Sequence, residues 1–277
     1  MRCAWKELLA VLPPRMRADV DRLGRETLQE IRLRLNKNVQ LLCSRQVYKL
    51  DCKATNEDMT FVINASSKYS PWSAATASQG YITAAGGHRI GLCGIAVVSS
   101  GQMTGIRCPT SLCIRVAREF PGIAAGMERL DGNILIVGPP GSGKTTLLRD
   151  LIRRISQKEQ GSIAVIDERF ELFPPGMDSG DNTDVLQGCS KVSGVQAALR
   201  TMGPTCIAVD EITAQDDCRA ITEAVWCGVR VIATAHAANR QDLLQRSIYR
   251  PLMEGGLFEQ LILLQRDKSY RTERICK

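Results

Sequence analysis

From Gly138 to Thr146 the chain reads Gly-Pro-Pro-Gly-Ser-Gly-Lys-Thr-Thr. This fits GxxxxGK[ST] at every fixed position, between an apolar run and a helical pattern. Gly138, Gly141 and Gly143 tolerate positive φ and let a ligand approach the backbone closely. Amides of such a loop point inward at a polyphosphate, and the following helix adds its positive end. The expected nucleotide cradle is Gly138, Pro139, Pro140, Gly141, Ser142, Gly143, Lys144, Thr145 and Thr146. Lys144 would reach the β- and γ-phosphates of a triphosphate such as ATP, and Thr145 would offer its hydroxyl to Mg²⁺.

Two apolar runs end in paired carboxylates, Ile163-Ala-Val-Ile-Asp-Glu168 and Cys206-Ile-Ala-Val-Asp-Glu211. A strand tip of this kind is where open α/β sheets bind ligands. Asp210 is the expected partner of Mg²⁺, and Glu211 the expected residue that orients or deprotonates a water. Glu168 is the alternative base. Asp167 and Glu168 would otherwise pair with Arg169 or cap the loop after them. A further apolar run ends in Thr234-Ala-His236, so His236 would sense the γ-phosphate or orient the water, or else be a structural histidine.

These side chains need a scaffold. Short apolar runs at 133–137, 162–167, 205–210, 229–235 and 259–265 alternate with helical patterns at 143–157, 194–202, 216–228 and 239–249. That rhythm means βαβ units and a parallel sheet. Strands buried on both faces explain the unbroken apolar runs. The segment 169–190 reads as a long solvated loop, because the spacing of Asp178, Asp181 and Asp184 lacks an EF-hand pattern. The first 120 residues look different. Ile31, Leu33 and Leu35 alternate with Arg32 and Arg34 as in a half-buried strand. Asn56–Ser67 predicts a helix with Met59, Val62 and Ile63 on one face and Asn56 as its cap. Runs at 81–84, 89–98 and 113–116 read as strands. The organisation is therefore an α+β domain at 1–120, a linker with a short helix at 121–132, and an α/β domain at 133–277.

Length and composition set the outer limits. With 277 residues and 44% hydrophobic content, the chain can bury a core without disulfides. No apolar run approaches the ~20 residues of a membrane span, and the N-terminus does not read as a signal peptide. A cytoplasmic protein with reduced cysteines is expected from the odd count of 11. Up to Gly132 the chain has 18 basic and 11 acidic residues, and after it 18 of each. The positive excess thus lies wholly in the first half, suited to an anionic partner or polyphosphate. It has no Lys/Arg run, and aromatics are only 5% of the chain, which argues against stacking-type nucleic-acid binding.

Several stretches together resemble the stage III sporulation protein AA family: GPPGSGKTTLLRDLIR at 138–153, IDERFEL at 166–172, DVLQGCSKVSGVQAALRTMGP at 184–204, AVDEI at 208–212 and ATAHA at 233–237. In the first half, EIRLRLNK at 30–37, GGHRIGLCG at 86–94 and SLCIRVARE at 111–119 extend the match. That family is similar to the type II and type IV secretion and pilus motor ATPases. The resemblance implies a RecA-like P-loop ATPase core behind a smaller α+β domain, assembled as a homo-hexamer. It implies Mg²⁺-dependent ATP hydrolysis in endospore formation, at the cytoplasmic face of the mother-cell membrane, by peripheral association with membrane-embedded channel proteins. It also implies arginines of the first domain reaching a neighbouring subunit's nucleotide, with Arg89 and Arg115 as candidates and Arg107 third. The sequence departs from the family pattern at Phe170, at Thr213 and in the segment 66–77, which lacks acidic character. The motifs alone also suit a nucleotide-gated binding module with little turnover, or a RecA-type nucleic-acid motor.

Overall fold

The computed structural model describes residues 1–44, 46–67, 80–127, 130–158, 161–174 and 176–275. The chain divides into two compact units, Met1–Glu119 with Pro174–Met177, and Phe120–Phe173 with Asp178–Lys277.

In the first unit, helices α1 (Trp5–Val11), α2 (Pro14–Gly24) and α3 (Asn56–Ser67) accompany a six-stranded sheet. The strands are β1 (Leu28–Arg34), β2 (Asn38–Cys43), β3 (Gln46–Lys53), β4 (Tyr81–Thr83), β5 (Arg89–Ser99) and β6 (Gln102–Arg115), in the order β3-β2-β1-β6-β5-β4. Period-two alternation sorts their side chains by face. Ile31, Leu33, Leu41, Ile90, Leu112 and Ile114 are buried in one core with Leu8, Leu12, Met16, Met59 and Val62 of the helices. Glu30, Arg32 and Arg34 occupy the alternate positions of β1. The helices α1 and α2 escape the sequence patterns because Pro13 and Pro14 divide them into short pieces, with Pro14 at the first helical position of α2. The cap of α3 is Thr55, not Asn56: Thr55 Oγ1 accepts from the Asp58 amide and Asp58 Oδ2 from the Thr55 amide. From residue 68 onward, the segment 66–77 lies outside the described residues.

In the second unit a seven-stranded sheet runs in the order β13-β12-β7-β11-β10-β8-β9. Its strands are β7 (Ile134–Val137), β8 (Ile163–Asp167), β9 (Thr183–Gln187), β10 (Cys206–Val209), β11 (Arg230–Ala235), β12 (Gln260–Leu264) and β13 (Tyr270–Arg274). All neighbours are parallel except the last hairpin, β12 with β13. The helices are α4 (Lys144–Lys158), α5 (Lys191–Thr201), α6 (Gln215–Trp226), α7 (Arg240–Gln245) and α8 (Arg250–Glu254). Strands β7, β8, β10 and β12 are buried at every residue. The strand–helix alternation is that of an α/β fold with a RecA-like core.

Four local expectations need correction. The stretch 169–190 is not all loop, since β9 adds an edge strand beside β8. Its residues Thr-Asp-Val-Leu-Gln are only partly buried, so no long apolar run announces it. Residues 121–126 form successive turns in place of a helix, held where the Gly122 and Ala124 amides donate to the Asp150 carboxylate. The pattern at 239–249 resolves into a helix that ends at Gln245, with a second beginning at Arg250. Finally, β12 is followed by β13, whose exposed residues carry no core pattern.

One of the chain's two histidines is architectural. His88 is fully buried; its Nε2–H donates to the Ala4 carbonyl, and its Nδ1 accepts from the Ala117 amide. Burial, outweighing the favourable Ala4 bond and Glu7, holds its pKa below the ordinary imidazole value. Below about pH 6.5 the unfolded chain therefore takes up a proton that the folded one resists, and stability falls. The urea midpoint is expected to drop between about pH 7 and pH 5, less steeply in His88→Gln. A midpoint equally steep in the variant would exclude His88 as the source.

Candidate functional site

The order of the sheet decides which tips meet. Strand β11 lies between β7 and β10. Ala235 is paired with Val137, and Ala233 with Val209. The residues just past these pairs are therefore Gly138 at the tip of β7, His236 at the tip of β11, and Asp210 and Glu211 at the tip of β10. All lie at the C-terminal edge of the parallel strands, where such sheets bind ligands.

The loop 138–143 turns from β7 into α4 with Gly141 at φ 73° and Gly143 at φ 101°, a region closed to most side chains. A Cβ on Gly141 would meet nothing within 4 Å, and one on Gly143 only Lys268 Cδ at 3.8 Å. Lys144 is the first residue of α4 and is buried. Its Nζ donates to Gly138 O at 2.8 Å and Pro139 O at 3.0 Å, and lies 2.9 Å from His236 Nδ1. Three acceptors match the three hydrogens of an ammonium. Burial pulls the Lys144 pKa down, with Asp210 and Glu211 opposing.

With an ammonium on Nδ1, His236 must accept there and carry its hydrogen on Nε2. Nε2 lies 2.9 Å from Glu211 Oε1, and Arg169 Nη1 donates to Glu211 Oε2 at 3.2 Å. A continuous polar chain thus runs Lys144–His236–Glu211–Arg169. Tyr249 steadies it: its hydroxyl donates to Ile212 O at 3.0 Å and accepts from the His236 amide at 3.3 Å.

Thr145 Oγ1 donates to Asp210 Oδ2 at 2.7 Å, and Thr234 Oγ1 donates to Asp210 Oδ1 at 2.6 Å. The Thr234 hydroxyl also accepts from the Glu211 amide at 2.8 Å, which holds Glu211 at φ 52°. A non-glycine residue pays for that conformation, and surrounding bonds must enforce it. Thr145 and Asp210 are therefore a hydroxyl and a carboxylate side by side at the mouth of the loop, a donor set of hard oxygens that suits Mg²⁺. The buried Ser142 Oγ has no hydrogen-bond partner among the described residues. An unmet hydroxyl inside an open-sided glycine cradle fits a polyphosphate.

The second acidic pair behaves differently. Asp167 is buried, and its carboxylate accepts from the Glu171 and Phe173 amides and from Gln187 Nε2, which is the capping alternative. Glu168 pairs with Lys191. Phe170 adopts φ 56°, a left-handed conformation that a residue with a side chain enters only at a cost. Thr213 donates from its amide and hydroxyl to Asp217 Oδ2, at 2.9 and 3.2 Å, and serves as part of the lead into α6. Arg89 and Arg115 sit in the first unit, paired across β5 and β6. Arg89 stacks 3.7 Å above the Tyr81 ring, and Arg115 Nε is 3.9 Å from Glu30 Oε2. Arg107 is exposed on β6.

Four participants, Thr234, Tyr249, Arg169 and Lys191, are not singled out by motif. Thr234 had a signal, a hydroxyl one residue before the tip of an apolar strand. The others act through contacts between segments distant in sequence, which spacing does not encode.

A parallel sheet of this order, with a phosphate-type loop at one tip and carboxylates two strands away, defines a RecA-like α/β core of the kind found in secretion and pilus ATPases. The chain matches the family described as "Sporulation stage III, protein AA" over residues 5–274 and belongs to that family. It is 34% identical over 280 residues to stage III sporulation protein AA of Bacillus subtilis (strain 168), covering 95% of this chain and 91% of that protein. Among solved structures it is similar to the ATPase DotB of Legionella pneumophila, with a TM-score of 0.61, 17% identity, and coverage of 94% of this chain and 78% of that one. It is also similar to the pilus retraction motor PilT with bound ADP, with a TM-score of 0.63, 17% identity, and coverage of 89% and 76%. These structural likenesses establish the fold.

Thr234→Val keeps the shape of a fully buried side chain while deleting a hydroxyl that serves both Asp210 and Glu211. The substitution is expected to cost about 1–3 kcal/mol in urea denaturation. A change below about 0.5 kcal/mol, the scatter of neutral surface substitutions, would show that the hydroxyl does not hold the tip.

Proposed function

We propose that the protein is a Mg²⁺-dependent ATPase that drives a secretion-like channel in endospore formation. The observation that carries this reading is the chain Lys144–His236–Glu211 laid across three strand tips, beside the Thr145–Asp210 pair. A module that only binds nucleotide needs the cradle. It does not need a carboxylate held in a costly backbone conformation and joined through an imidazole to the phosphate-binding lysine.

The residues take up the following roles. Amides of 141–146 and the N-terminus of α4 bind the phosphates of ATP. Lys144 exchanges its loop carbonyls and His236 for phosphate oxygens. Thr145 and Asp210 would hold Mg²⁺, which would offset the negative charge of the phosphates. His236, released by Lys144, regains a free Nδ1, and its bond to Glu211 then reports phosphate occupancy to the base. Glu211 accepts hydrogen bonds from the water that attacks the γ-phosphate and orients it. Most of the catalysis is positioning and electrostatic stabilisation, as phosphoryl transfer requires.

The proposal extends to assembly. Arg89 and Arg115 face each other on neighbouring strands, where like charges repel. Glu30 lies near Arg115 but is also bound by Arg32. The two strands thus bring two guanidinium groups together on one face, and we assign this pair to the nucleotide of a neighbouring subunit in a homo-hexamer, with Arg107 as a further candidate. Among the described residues no helix is long and apolar enough to cross a membrane. The reading assigns the ring to the cytoplasmic face of the mother-cell membrane, bound peripherally to membrane-embedded channel proteins; the likeness to stage III sporulation protein AA of Bacillus subtilis supports it.

Two sets of variants test the reading. Lys144→Ala is expected to lower MgATP turnover by about 10²–10³-fold, the effect of deleting one such donor. Glu211→Gln is expected to lower it by about 10²–10⁴-fold with binding retained. Steady-state phosphate release and calorimetry measure both, and wild-type turnover in Lys144→Ala would falsify the site. Arg89→Ala and Arg115→Ala chains are expected to be inactive alone and to recover turnover when mixed with Lys144→Ala chains. Only intact sites shared between subunits can complement in this way, so a failure to recover removes the arginines from a trans role.

A further inference from the structure

Lys191 is in an unfavourable place for a lysine. It is the first residue of α5, directly after the N-cap Ser190, where the helix dipole opposes a cation. Its side chain is only 3% exposed. Buried ion pairs seldom repay their desolvation in stability, so a purely structural gain accounts poorly for it.

Its partners lie on two separate acidic segments. Nζ bonds Glu168 Oε2, at the tip of β8, and sits 3.8 Å from Asp217 Oδ2, in the first turn of α6. Asp217 in turn accepts from the amides of Thr213 and Ala214, which follow Glu211 by two and three residues. Lys191 also lines the same cleft as Asp167, Arg169, Asp210 and Glu211.

Glu168 and Arg169 are adjacent in sequence and line the same cleft. Here they part: Glu168 goes to Lys191, and Arg169 to Glu211. We propose that Lys191 is a positioning residue that selects the base: it holds Glu168 away from Arg169 and the reacting water, leaving Glu211 as the working carboxylate. The inference rests on the ATPase reading above and deepens it by separating two glutamates that are equivalent in sequence. Without the ammonium, Glu168 competes for Arg169, and the loop after Glu211 loses the cation beside its Asp217 cap.

The test uses the full chain with Lys191→Met, Lys191→Arg and Glu168→Gln. Lys191→Met is expected to lower kcat by at least about tenfold with KM within about twofold, and Lys191→Arg to restore most of the loss. In the Lys191→Met background, Glu168→Gln is expected to recover turnover, because the competing carboxylate is gone; non-additivity of this kind reports direct coupling. Independently of turnover, modification of Glu168 by a water-soluble carbodiimide, read by mass spectrometry, is expected to rise severalfold in Lys191→Met but not in Lys191→Arg. Unchanged labelling would overturn the proposal, as would equal loss in both lysine variants with lowered thermal stability, which marks a structural role. Increased labelling in a chain whose wild type hydrolyses no MgATP would uphold the tether and overturn the ATPase reading instead.

Discussion

One imidazole spans the site because one strand lies between two others. With β11 inserted between β7 and β10, the phosphate-type loop and the Asp210–Glu211 tip are not direct neighbours, and whatever ends β11 must mediate between them. That residue is His236. It is the only kind of side chain that can accept from an ammonium on one nitrogen while donating to a carboxylate from the other. An amide such as Gln could offer the same two polarities but not across a rigid ring whose nitrogens are fixed in separation and direction. The topology of the sheet thus sets a chemical requirement, and the sequence meets it at one position.

The energetics follow from how fully each group is satisfied. Lys144 is buried, and burial opposes its charge; three acceptors at hydrogen-bond distance compensate. A ligand oxygen that displaces any of them must replace a bond already made, so a phosphate gains over the resting state chiefly through its negative charge. This favours polyanions over neutral ligands. It also means that binding is felt at His236 without any large motion, because the bond to be exchanged is the one that connects lysine to histidine. Tyr249 limits how far the imidazole can drift, since it grips the backbone of both His236 and Ile212.

What could be read in advance divides along a physical line. The cradle, both acidic pairs and His236 each close an apolar run, so local pattern and position agree there, and the parallel core follows from strands buried on both faces. The β9 strand, the α1–α2 pair and the terminal hairpin are short, partly exposed or interrupted by proline, so their patterns are weak. The roles of the two acidic pairs were undecidable from sequence because Ile-Asp-Glu and Val-Asp-Glu differ in nothing that periodicity can register. The distinction comes from Lys191 and Gln187 on one side and from Thr145, Thr234 and His236 on the other. Thr213 is a further case. Its amide and hydroxyl both bond Asp217, four residues on, a pairing that no hydrophobic periodicity announces.

Among the buried and half-buried charges of the second unit, two groups are separated by the same logic. Asp150 and Asp167 accept mainly from backbone amides of nearby turns, those of Gly122 and Ala124 for one and of Glu171 and Phe173 for the other. Such carboxylates are saturated by the fold itself, and moving them would break local structure. Lys191, Asp210 and Glu211 instead rely on side chains carried by other strands and helices, and Lys144 adds the His236 imidazole to its two loop carbonyls. Their partners can be exchanged one at a time while the backbone stays in place. Charges held by fixed dipoles build a scaffold, whereas charges held by other mobile charges and hydroxyls respond to a new ion. The second group therefore lies along the carboxyl ends of β7, β8, β10 and β11, where a polyphosphate would enter, and the first group anchors the turns around it.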